Sequence, residues 1–335
     1  MRIPRPLAWL LLAMSFFTAG LLRQFHDEIP RSPFFPPAIG SLLVFCILFL
    51  LLVAARETRQ GAVPGPGIRL GSLTPLLLML LVEKWMSMVL YIPVFHVISS
   101  VRVSDDILDA RFRAFAGAGL LVICLLLARF SEPARRRTWR ASRPARWPMG
   151  LASAAAAVVG TYIMLMGIVT VSRGSLPLRW PEPSLLTVWI LGGQALRAFA
   201  EEVYYRGLLQ SELARLAPRL GARGSMARRW LALLPTSIVF GMEHLTVGLP
   251  WHETARQMIF TVSLGLLLGI LVMVTSNLVF AAGVHAWINW LLLGVAPRLV
   301  DSAGAAALPP GSYVAVALVL AFIITFLLER RERAA

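Results

Sequence analysis

The sequence predicts an all-α fold, a polytopic membrane bundle of about ten transmembrane helices, within a range of about eight to ten. Three observations predict it. The 335 residues are 58% hydrophobic with a mean hydropathy of +0.73, whereas a soluble domain carries roughly 45–50% apolar residues. The excess is gathered into runs of about 16–25 residues, the length that crosses ~30 Å of hydrocarbon at about 1.5 Å per residue. Finally, most runs lack the polar stripe that an amphipathic soluble helix shows at every turn.

The expected spans, in order, are 7–22, 36–55, 73–98, 114–128, 149–171, 185–208, 230–247, 256–274, 277–295 and 312–328. The first follows Arg2 and Arg5 and reads as a retained anchor, because no small-residue cleavage site clearly precedes 23–31. Residues 1–148 hold N-terminal spans of unassigned role. Residues 149–335 hold the chemically interesting core, with its motifs inside 185–296. No internal repeat and no separate soluble domain is visible.

Charge fixes the expected orientation. The formal net charge is +15, which in a soluble chain would suggest nucleic acid. Here Lys84 is the only lysine, and the arginines cluster in short loops between apolar runs. The segment 129–147 holds seven arginines against one glutamate, and 215–229 holds five arginines and no acid. Both fall on the cytoplasmic side, with the basic tail 329–333, if ten spans begin with the N-terminus inside. A multi-pass membrane protein with both termini cytoplasmic follows, with a bacterial inner membrane as the expected location, the lipid bilayer as partner and no nucleic acid. The two cysteines, Cys46 and Cys124, sit inside apolar runs and read as reduced packing residues.

An ionisable group inside a bilayer is costly, by about 2.5–3.5 kcal/mol on insertion scales, so each marks a candidate site. The expected spans hold Glu83, Lys84, His96, Arg197, Glu201, Glu202, Arg206, Glu243, His244 and His285. Six of these lie between Arg197 and His244. Glu201 and Glu202 are about 100° apart around a helix and cannot share a partner. Arg197 precedes Glu201 by four residues, and Arg206 follows Glu202 by four. Each carboxylate therefore has a cation at the favourable i, i+4 spacing. The expected arrangement pairs Glu202 with Arg206 as support and turns Glu201 toward the bundle interior. The plainer alternative is two self-neutralising salt bridges that let the helix insert.

Two further helices carry polar groups. Phe240-Gly241-Met242-Glu243-His244 ends in an imidazole that serves either packing or catalysis. His285-Ala286-Trp287-Ile288-Asn289 places an imidazole and a carboxamide on one helical face, two donors suited to an oxyanion hole or to an interhelical clamp. Together the three segments supply a base, a residue to orient water and two oxyanion donors.

At these residues the sequence resembles the CAAX protease and bacteriocin-processing family, also called the Abi family. The resemblance rests on Glu-Glu-x-x-x-Arg, Phe-x-x-x-His and His-x-x-x-Asn in that order, here EEVYYRG, FGMEH and HAWIN. It covers roughly 185–296. It implies an intramembrane endopeptidase that hydrolyses a peptide bond of a membrane-anchored or lipidated protein. Glu201 would activate water with help from His244, His285 and Asn289 would stabilise the oxyanion, and Glu202 and Arg206 would be supporting. The mechanism implied is glutamate-dependent with no cofactor required. No His-Glu-x-x-His is present, since His252-Glu253 is followed by Thr254-Ala255-Arg256. Zinc stays open, with Glu201, His244 and His285 as its ligands should they converge.

Other readings compete. Asp105-Asp106-Ile107-Leu108-Asp109 spells the DDxxD pattern of a membrane prenyltransferase, but a second aspartate-rich motif is missing from the sequence and the run falls on the outer side. No serine sits in the Gly-x-Ser-x-Gly setting that a rhomboid needs, and the expected spans hold no aspartate pair for a presenilin-like enzyme. The remaining alternative is a non-catalytic Abi-like immunity or sensor-partner protein, whose polar cluster serves packing.

Overall fold

The computed structural model describes residues 68–86, 105–128, 185–222, 224–244 and 250–292, with isolated residues 2, 3, 8, 147, 148, 150–152 and 155. Its helices are α1 (Leu70–Met86), α2 (Asp105–Leu127), α3 (Leu185–Glu202), α4 (Gln210–Leu216), α5 (Ser225–Glu243), α6 (Trp251–Thr275) and α7 (Leu278–Leu292). A π-helical segment, Val203–Leu209, joins α3 to α4. The strands among the described residues are one two-residue antiparallel pair, β1 (Arg2–Ile3) with β2 (Ile68–Arg69). The all-α expectation holds. Of the ten spans, only α6 is both long and apolar enough to cross a membrane among the described residues, and Leu73–Val82, Ala114–Leu127 and Leu278–Asn289 are shorter apolar stretches.

The chain divides into two compact units. One holds Met1–Val101, Val122–Arg137 and Tyr204–Leu266, and the other Arg102–Leu121, Thr138–Val203 and Leu267–Ala335.

In the first unit, α4 packs against α5 and α1. Its core is aliphatic, with Leu73, Leu76, Leu78 and Met79 of α1 buried, as are Leu208, Leu209, Leu213 and Leu216. The phenol of Tyr204 donates to the Met79 carbonyl at 3.0 Å, tying the π segment to α1. Pro235 lies inside α5 and cannot supply a helical N–H. The next two residues bond backward instead, Thr236 Oγ1 to the Ala232 carbonyl at 2.7 Å and Ser237 Oγ to the Leu233 carbonyl at 2.8 Å. On its outer face α5 exposes Trp230, Leu234 and Ile238 at four-residue intervals, and α6 exposes Trp251 and Ile259. Large exposed apolar side chains of this kind suit lipid rather than water.

In the second unit, α3 packs along α7. A Cβ on Gly117 of α2 would lie 2.8 Å from the backbone nitrogen of Arg197, so only glycine permits this approach to α3. Two residues, Ser276 and Asn277, separate α6 from α7. Ser276 takes φ 50°, an uncommon value for a residue with a side chain. Buried Asn277 caps α7, its Oδ1 accepting from the Phe280 N–H at 3.1 Å while its own N–H donates to Thr275 Oγ1 at 3.2 Å.

Several boundaries differ from expectation. The span expected at 185–208 continues as helix to Leu216 through the π segment. The one expected at 230–247 runs instead from Ser225 to Glu243 and stops one residue short of His244. It opens after Gly224 at φ 84°, a conformation that favours glycine. Asp105–Asp109, which lies before the span expected at 114–128, forms the first turn of α2, a position that favours acids. The spans expected at 36–55 and 312–328, nearly all of 7–22 and most of 149–171 lie outside the described residues, as does 87–98.

Candidate active site

Glu201 and Glu202 close α3, and His285 stands at the middle of α7, the helix packed along it. All three are buried, Glu202 and His285 completely. The imidazole lies between the two carboxylates. Its Nδ1 is 3.0 Å from Glu202 Oε1, a hydrogen bond, and its Nε2 is 3.5 Å from Glu201 Oε2, beyond ordinary hydrogen-bond length. Arg197, one turn earlier on α3, donates its Nε–H to Glu201 Oε1 at 2.7 Å. Glu201 thus has one oxygen held by a guanidinium and the other turned toward the His285 ring.

This arrangement constrains protons. A Glu202 carboxylate accepts the Nδ1 proton, and Nε2 then faces a second carboxylate with or without a proton of its own. A proton on Nε2 makes the ring an imidazolium flanked by two acids, which with Arg197 balances the cluster's charge.

The first unit supplies the other candidate residues. In the π segment the i→i+5 pattern replaces the α-helical one, so residues four apart no longer stack as in an α-helix. Arg206 follows that altered phase. Its Nη2 donates to the Gly265 carbonyl at 2.9 Å, and its guanidinium lies 5.1 Å from the Phe240 ring centroid and 5.7 Å from that of Tyr205. The i, i+4 pairing of Arg206 with Glu202 expected from the sequence assumed an unbroken α-helix. Glu202 contacts His285 within the second unit, and Arg206 donates to Gly265 within the first. Pi turns inside helices occur frequently at functional sites.

His244 caps α5 outside its last helical residue, half-buried, with φ −101° and ψ 4°. Its ring packs on Phe240 with centroids 4.3 Å apart. Nδ1 lies 2.7 Å from the Phe240 carbonyl. A carbonyl only accepts, so Nδ1 carries the proton and Nε2 holds the lone pair in the neutral ring. The Phe-x-x-x-His spacing therefore has a mechanical meaning: the phenylalanine supplies both the ring that His244 stacks on and the carbonyl that sets its tautomer.

The second unit brings together Glu201, Glu202 and His285, with Asn289 half-buried one turn beyond His285 on α7. Arg206 and His244 belong to the first unit. Glu83 and Lys84 lie on α1. Among the buried polar residues that the sequence did not single out are Gln194, Gln210 and Glu212. Gln194 lies seven residues before Glu201, two turns back on the same face of α3. Glu212 pairs with Arg215 within α4, a spacing visible in the sequence but placed beyond the expected end of the span.

As zinc donors, Glu201 Oε2 and His285 Nε2 are compatible. Two ligand atoms at tetrahedral angles around zinc are about 3.4 Å apart, and these are 3.5 Å apart. The donor chemistry fits an ion as well as a direct contact between the two groups.

Residues 183–291 match the family model described as type II CAAX prenyl endopeptidase Rce1-like. The match holds α3, the π segment and α4 to α6 complete, and α7 nearly to its end. This segment is similar to that family. It is about a third of the chain, and it includes EEVYYRG, FGMEH and HAWIN. The family is one of membrane-integral proteases, consistent with the CAAX protease and bacteriocin-processing resemblance. No curated protein and no solved structure matches the chain.

Proposed function

We propose that this chain is an intramembrane endopeptidase that hydrolyses a peptide bond of a membrane-anchored or lipidated protein. The single observation that carries the reading is the buried His285 ring held between Glu201 and Glu202. A packing cluster gains little from three ionisable groups in one apolar site, whereas proton transfer needs them there.

In the proposed reaction Glu201 is the general base. Arg197 holds Oε1, so Oε2 takes the proton from water as the water oxygen attacks the scissile carbonyl. The developing oxyanion accepts from the Nε2–H of His285 and from the Asn289 carboxamide. Glu202 fixes the ring through Nδ1 and so determines where Nε2 points. His244, with Nε2 as its acceptor, orients the water. Collapse of the tetrahedral species breaks the C–N bond, and the proton on Glu201 passes to the departing amine. Arg206 takes the supporting role that the family resemblance implies for it.

No cofactor is required in this scheme. A zinc ion would be held by Glu201, His285 and His244, and would supply Lewis-acid polarisation of the carbonyl and a more acidic water. The proposed setting is a multi-pass membrane protein with both termini cytoplasmic, and the family's description as a prenyl endopeptidase supports a lipidated substrate.

The test compares membrane proteomes of cells carrying the wild-type protein or Glu201→Gln, with new protein termini sequenced in each. Termini that vanish in the variant, with the protein still inserted, support proteolysis and name the substrate. Identical termini in both would sink the catalytic reading and leave a membrane scaffold.

A further inference from the structure

Helix α6 carries none of the three motifs, yet one of its faces holds the end of α5 in place. Gln257, Thr261 and Gly265 follow at four-residue intervals and form a single stripe along α6. Gln257 Nε2 donates to the His244 carbonyl at 2.7 Å. Thr261 Oγ1 lies 3.3 Å from the Gly241 carbonyl, besides its bond to its own Gln257 carbonyl at 2.8 Å. Gly265 accepts from Arg206. The two helices abut here: a Cβ on Gly241 would lie 2.3 Å from Val262 Cγ2, and one on Gly265 3.2 Å from Ser237 Cα.

We propose that Gln257 is a positioning residue for His244, holding the end of α5 so that the imidazole keeps Nδ1–H on the Phe240 carbonyl and presents Nε2 for chemistry. The inference rests on the reading of His244 as a participant in proteolysis. Its physical basis is the helix terminus. The last carbonyls of a helix have no N–H of their own helix to accept from, and unless something else donates, that turn frays. His244 stands at this position, outside the last helical residue. The Gln257 amide supplies a donor from a neighbouring element, thirteen residues on, and fixes the backbone from which the ring projects. Without it the ring is free to turn away from Phe240. The constraint forcing Nδ1–H is then lost, and the Nε2–H tautomer, in which Nε2 is no longer an acceptor, gains population.

The test uses full-length protein in lipid nanodiscs with ¹⁵N-labelled histidine, the His244 signals being assigned by their loss in His244→Gln. The wild type is expected to show Nδ1–H at His244. Gln257→Leu, which keeps the volume and removes the donor, should shift His244 toward Nε2–H. Gln257→Lys, which restores a donor of similar reach, should return it to Nδ1–H. In cells, termini that depend on Glu201 should appear about tenfold to a hundredfold more slowly in the leucine variant and recover with lysine. An unchanged His244 tautomer in Gln257→Leu overturns the proposal. If the leucine variant fails to insert, an Nε2–H ring in the lysine variant overturns it equally. Should His244→Gln leave the termini intact, the catalytic reading of His244 fails, while the tautomer result still decides what Gln257 does.

Discussion

His285 Nδ1 lies 3.0 Å from Glu202 Oε1 with both side chains excluded from solvent. Adjacent acids on one helix thereby acquire different tasks. Glu202 is committed to orienting an imidazole, and Glu201, held at Oε1 by Arg197, faces the other nitrogen of that ring.

Glu202→Gln is expected to lower kcat about a hundredfold while leaving KM nearly unchanged, because the amide still fits but no longer fixes the proton on the ring. Single-turnover kinetics on a substrate identified from the proteome comparison provide the check. A variant as active as the wild type would show that the Glu202–His285 bond does not position the ring.

Gly117→Ala should destabilise the protein by about 1–3 kcal/mol, the usual range for overpacking. The added methyl group meets the backbone of Arg197, which cannot rotate out of the way. Because α3 must shift near the residue that holds Glu201, activity should fall with stability. Thermal unfolding in detergent, followed with activity at a permissive temperature, separates the two effects.

Tyr204→Phe removes the hydroxyl that donates to Met79 and leaves that carbonyl to find another donor. A loss of about 1–2 kcal/mol is expected, with little change in turnover per folded molecule, since the bond joins α1 to the π segment and not to the carboxylates. A collapse of turnover at unchanged stability would assign α1 a direct part in the reaction.

Chelation tests the metal-free scheme. Prolonged dialysis of the detergent-solubilised protein against 1,10-phenanthroline should leave proteolysis of that substrate unchanged. A loss that returns on adding zinc would replace glutamate-dependent water activation with metal-assisted hydrolysis.

The sequence by itself determined the helical class, the order of the three motif segments and the residues worth suspecting. Long apolar runs have no other way to satisfy their backbone in a membrane, and charges appear inside them only for a reason. Periodicity also placed Arg197 correctly on the face of Glu201, because α3 is an unbroken α-helix up to Glu202. The π segment that begins at Val203, by contrast, has no signature in the spacing rules for α-helices. Only tertiary structure brought His285, 83 residues away, to Glu202, and only it showed Gln257 reaching the His244 carbonyl from a helix that carries no motif. Those contacts depend on how α3 lies along α7 and α5 against α6. Packing fixes such relationships through glycine-sized gaps such as those at Gly117 and Gly241, and no local pattern of residues encodes them.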